Sequence, residues 1–109
     1  MADTSYYRNK IYNEQQKIGN LNKAEQYANT VVSNLNTAIS NLNTTKSDLE
    51  KYFKINGTAA DGGRISSIIA KINSDINKIK SDVIPYIKRE KNTCNSNINY
   101  YNSEMKKME

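Results

Sequence analysis

Leu21, Ala28, Leu35, Leu42 and Leu49 recur every seven residues without a miss. A second series, Ile11, Ile18, Glu25, Val32, Ile39, Lys46 and Phe53, keeps the same interval with two polar members. Together they form the two inward columns of a coiled-coil seam. The stretch Ser33-Asn34-Leu35-Asn36-Thr37 is followed by Ser40-Asn41-Leu42-Asn43-Thr44, one heptad copied. The period-two alternation of a strand is absent. The 54 residues before Ile55 contain no proline and only Gly19, so nothing interrupts a helix there. Asn, Ser and Thr are mediocre helix formers, so this helix depends on packing rather than propensity.

A second apolar stripe runs through Ile65, Ile69, Ile72, Ile76, Ile79, Val83, Ile87, Glu90, Cys94, Ile98, Tyr101, Met105 and Met108 at a spacing near 3.6. Pro85 falls inside it and is expected to kink a helix that otherwise continues, because the stripe resumes in phase. Between the stripes, Asn56-Gly57 is a helix-stop signal. Thr58 and Asp61 have the spacing of a capping box, and Gly62-Gly63 weakens or delays the new start. The expected fold is all-α: an antiparallel two-helix hairpin, coiled-coil-like, in a single domain. Its helices span about 5–54 and 63–107, with a loop at about 55–62 and the kink near Pro85. A helix of roughly 45 residues is about 70 Å long.

Composition narrows function. There is no histidine and one cysteine, which removes the commonest general base, internal disulfides and cysteine-cluster metal sites. Asp48 and Glu50 cannot face each other on a helix, and Asp75 and Asp82 lie two turns apart. Gly57, Gly62 and Gly63 lack the strand and the Lys-Ser/Thr of a phosphate loop. Cys94 lies on the stripe and reads as a small buried hydrophobe. No catalytic residue, metal or cofactor is expected, and the chain does not read as an enzyme.

The net charge of +5 divides almost evenly between the halves. The densest cluster, Lys88-Arg89-Glu90-Lys91, is interrupted by Glu90, so no nucleic-acid surface is expected. No apolar run is long enough to span a bilayer, and the start of the chain lacks the layout of a cleavable signal peptide. Polar faces of Asn, Ser and Thr with mixed charge argue against membrane-surface binding.

Two helices cover only part of each other's stripe, and these stripes are wide. Val31 adjoins Val32, Ala38 adjoins Ile39, Ile68 flanks Ile69 and Ile84 flanks Val83. Tyr7, Tyr12, Tyr27, Tyr52, Tyr86, Tyr100 and Tyr101 add half-apolar surface. Apolar surface left uncovered on a helix marks a contact, so a helical partner or a second copy is expected at Val31, Ala38, Ile68 and Ile84. The alternative is that these side chains only thicken the hairpin's own core.

A hairpin with glycine in its connecting loop resembles the WXG-type helical hairpins of bacterial type VII secretion. Ile55-Asn56-Gly57 stands where their Trp-x-Gly motif lies, with Ile in place of Trp. The chain is more closely similar to the small α-helical proteins associated with LXG toxins of Gram-positive bacteria. The likeness lies in length, the Ser5-Tyr6-Tyr7 start, the long first helix and the Asn56-Gly57-Thr58-Ala59-Ala60 loop. An Asn-, Lys- and Ile-rich composition suits a low-GC bacterium. The resemblance implies an adaptor that packs beside the helical N-terminal domain of a toxin and accompanies it to the export machine. It implies a cytoplasmic protein before export, co-secreted, if at all, without a cleavable signal. It also implies an export signal of the form Tyr-x-x-x-Asp/Glu near the C-terminal end. Tyr100 with Glu104 fits that form and place, and Tyr86 with Glu90 fits the form. A homodimeric four-helix bundle with a structural role and an immunity-type toxin binder are the alternatives.

Overall fold

The computed structural model describes residues 4–55 and 62–108. The chain is an all-α helical hairpin: α1 (Thr4–Ile55), α2 (Gly62–Lys78), a five-residue π turn (Ile79–Val83) and α3 (Ile84–Lys107). The expected loop residues Asn56 and Gly57 and the Thr58–Asp61 cap lie outside the described residues, as do the side chains of Phe53, Lys54 and Ile55.

The residues pack as two compact units. One joins α1 up to Tyr27 with the chain from Val83 onward, and the other holds Ala28–Asp82. In the first unit, Tyr7 meets Tyr101 and Glu25 meets Lys91. Numbers rise along α1 as they fall along α3, so the pair is antiparallel. The second unit buries Val32 and Ile76, and the first buries Ile87 and Cys94. Among the described residues no large side chain is fully enclosed.

The shielded positions of α1 follow the heptad more closely than its hydrophobic residues do. Thr4, Tyr7, Ile11, Glu14, Ile18, Leu21, Glu25, Ala28, Val32, Leu35, Ile39, Leu42, Lys46 and Leu49 alternate steps of three and four without a break. Ala24 and Ala38 are also half-buried. The leucine column therefore runs back beyond Leu21 to Glu14 and Tyr7.

The second stripe departs from expectation at one place. Ile65, Ile69, Ile72, Ile76 and Ile79 point inward, and then the next inward residue is Ile84, five residues on. Val83 is 44% exposed, so the two neighbours exchange the roles the spacing assigned them. The π turn supplies the reason. It carries one more residue per turn than the α-helix, and it absorbs the extra residue. Pro85 stands in the first turn of α3. It has no N–H for the carbonyl of Ser81 and its ring crowds that oxygen, which an α turn would not tolerate without distortion. Beyond it Ile84, Ile87, Lys91, Cys94, Ile98, Tyr101 and Met105 keep strict heptad steps. Met108, expected on the stripe, is exposed.

Candidate partner-binding surface

The first unit's seam is partly polar. Glu14 occupies a leucine-column position and is 6% exposed. Its Oε1 accepts a hydrogen bond from Lys17 Nζ at 3.2 Å, while Oε2 is buried without a well-formed partner. Burial pushes the Glu14 pKa up, but the Cys94 thiol, Lys17 and the Asn97 amide outweigh it and hold the carboxyl below its ordinary 4.5. For Cys94 and Asn97 this is the pull of close dipoles rather than of bonds in good geometry. Together these groups favour the charged form over the neutral one despite the burial.

Burial first, and Glu14 second, push the Cys94 thiol above its ordinary 9.0. The nucleophile is the thiolate, so this cysteine is inert. Cys94 is expected to resist iodoacetamide at neutral pH while the chain is folded and to label once urea unfolds it. Rapid labelling of the folded chain would contradict the burial described.

A second polar layer lies deeper along the same seam. Lys91 Nζ donates to Glu25 Oε1 and to Asn22 Oδ1, both at 3.2 Å. Glu25 was expected on the stripe; its partner Lys91 was not, because the spacing placed Glu90 inward. Both Glu90 and Lys91 are half-buried. Lys91 on the inward column thus gives Glu25 an ion-pair partner across the seam.

At the far end of this unit four tyrosines meet. Tyr7 and Tyr101 lie 6.1 Å apart across the seam, with Tyr6 edge-on to Tyr7 at 5.1 Å and Tyr100 edge-on to Tyr101 at 5.5 Å. The Lys10 ammonium stands 5.4 Å over the Tyr6 ring. Only Tyr7 and Tyr101 of the eight tyrosines are shielded; Tyr6, Tyr12, Tyr27, Tyr52, Tyr86 and Tyr100 are exposed. The tyrosines therefore add surface more than core.

The residues singled out from sequence fall in different places. In the second unit Val31 is 43% and Ile68 48% exposed, while Ala38 is half-buried beside the seam. In the first unit Ile84 is half-buried on the inward stripe, and the exposed aliphatic beside it is Val83. Tyr86 and Glu90 lie one turn apart and line an open groove of about 300 Å3 with Lys17, Asn20, Leu21 and Cys94. Tyr100 is exposed one turn before Glu104, whose carboxylate pairs with Lys107 at 3.0 Å. Ile55 ends α1; Asn56 and Gly57 are outside the described residues.

Sequence reasoning missed Glu14, Lys17, Asn97 and Lys91. Stepping the leucine column back one heptad from Leu21 reaches Glu14 directly. Among the described residues no three acidic or sulfur ligands gather to hold a metal ion, and no helix is long and apolar enough to cross a membrane. Compared with known proteins, the chain matches no family model, no curated protein and no solved structure.

Proposed function

We propose that this protein is a helix-binding adaptor which packs against the helical N-terminal domain of a larger LXG-type toxin and promotes its export through a type VII system. One observation carries the binding part of this reading. Among the described residues the buried apolar side chains are Val32 and Ile76 in one unit and Ile87 and Cys94 in the other, while Val31, Ile68, Val83, Met108 and six tyrosines stay exposed. A two-helix protein with so thin a core gains stability by lending its remaining apolar surface to another helix. The identity of that helix rests on the resemblance carried by Ile55-Asn56-Gly57, Ser5-Tyr6-Tyr7 and the Tyr-x-x-x-Glu spacings. In this reading Tyr100 and Glu104 present the export signal, and the chain itself has no catalytic role.

The test is gentle purification of the tagged protein from its native cells, with co-purifying chains identified by mass spectrometry. The reading expects a large protein held through its helical leader. Ile68→Lys should weaken that complex about tenfold, the effect of 1.4 kcal/mol, and leave helicity unchanged. Recovery of the bait alone as a dimer would establish the self-contained bundle instead. Attachment to a toxin's catalytic end would establish an immunity protein.

A further inference from the structure

From Ala28 to Thr45 the chain holds no Asp, Glu, Lys or Arg, although it carries sixteen basic and eleven acidic residues elsewhere. This run is five turns of α1, about 27 Å of helix, and it lies wholly within the second unit. Its seam side is Ala28, Val32, Leu35, Ile39 and Leu42, with Ala38 half-buried at the edge. Everything else in the run is exposed and is amide, hydroxyl or Val31. An exposed helix surface ordinarily carries charge on these positions, whereas the centre of a protein interface is depleted of it.

The heptad copy gives this surface order. Val31, Ala38 and Thr45 form one column beside the seam, and Asn34 and Asn41 form the next column outward. The hydroxyls of Thr37 and Thr44 donate to the carbonyls of Ser33 and Ser40, at 3.1 and 3.2 Å. They are satisfied inside their own helix, so covering them forfeits little bonding to water.

We infer that this charge-free run of α1 is the surface on which the partner docks, and that the docking element is a helix with an uncharged face of small, hydroxyl and amide side chains. The inference rests on the adaptor reading. A charged partner face would bury ions against a run of α1 that itself offers no counter-charge over five turns, which is costly. A small-residue column on the partner lets the two backbones approach over Val31 and Ala38. Amides or hydroxyls beside it satisfy Asn34 and Asn41, which would otherwise be buried unpaired.

The experiment places the photo-crosslinker p-benzoylphenylalanine at position 34, at position 68 or at position 89 of the full-length chain in its native cells. Adducts are sequenced by mass spectrometry. The expected result is a position-34 adduct to a peptide of a larger protein that lacks charged residues over two or more heptads. An adduct to this chain's own peptide, or to a charged segment, overturns the inference. So does a toxin adduct from position 68 or 89 with none from 34, an outcome that leaves the adaptor reading standing. Absence of heterologous adducts at all three positions defeats both. Ala38→Lys should weaken the complex by about a hundredfold or more with helicity retained; unchanged affinity also overturns the inference.

Discussion

Glu14→Leu is expected to stabilise the protein, by about 1–3 kcal/mol. For a chain of this size that is a rise in melting temperature of roughly 4–8 °C per kcal/mol. Glu14 stands where Leu21, Leu35, Leu42 and Leu49 stand one or more heptads on, with Oε2 buried and unbonded. Leucine matches glutamate in helix propensity, fills the same inward space and removes a desolvated carboxylate. Lys17 loses only a surface ion pair, since its side chain is 63% exposed. Glu14→Ala isolates the packing part: it removes the same charge but leaves a void, and it should gain little or lose stability. A melting temperature that falls in Glu14→Leu would mean that Asn97 and Cys94 depend on the carboxylate more than its geometry implies. The gain should carry a cost in uniqueness, because a polar group on an inward column penalises slipped registers. Sedimentation should therefore show more self-association in Glu14→Leu than in wild type.

The same residue makes the first unit acid-sensitive. The folded Glu14 carboxyl titrates below its ordinary 4.5, so folding favours its ionised form over its protonated form, and that difference is complete at neutral pH. It fades as pH falls from the unfolded value through the folded one. Glu14→Gln cannot titrate and should show a shallower loss of stability than wild type as the pH falls through and below the ordinary carboxylate range. Parallel curves would place the acid sensitivity on other carboxylates.

The hairpin was legible because hydrophobic identity and heptad spacing agree along most of α1. They part at Glu14, where a search for apolar residues stops although the helix goes on presenting the position inward. Periodicity read from residue type cannot report a polar group that the backbone geometry places on the seam. Extending the established column would have found it. At Val83 and Ile84 the failure is different. Two adjacent aliphatics fit the stripe equally well, so residue type cannot choose between them. The choice comes from Lys91, Ile98 and Met105 downstream, whose strict heptad agrees only with Ile84. Val31 and Ala38 were singled out from the sequence, but the charge-free run around them was overlooked for a third reason. A run of Asn, Ser and Thr carries no apolar signal, and its information lies in the charges it lacks.

Deleting Ser81 together with Pro85→Ala is expected to leave a fully helical, more stable protein, an unusual outcome for a deletion inside a helix. Removing one residue from an ordinary helix turns everything beyond it by about 100°. Here the heptads ending at Ile79 and beginning at Ile84 are one residue out of phase, and the π turn absorbs that residue. The deletion brings Ile79 and Ile84 to the ordinary spacing of four, and alanine restores the hydrogen bond that proline cannot donate. Deletion of Asn92 is the control. It turns Cys94, Ile98, Tyr101 and Met105 off the seam, and at about 1.5–3 kcal/mol for each large apolar side chain exposed it should abolish cooperative unfolding. Pro85→Ala alone separates the two causes of the π turn. If the phase mismatch dominates, the substitution keeps the turn, and amides near Ile79–Val83 still exchange faster than their neighbours. If proline dominates, exchange there slows to the rate of the flanking helix, and α3 must give up its inward positions to allow it. Equal damage from the Ser81 and Asn92 deletions would show that Ile84 does not owe its inward position to an extra residue.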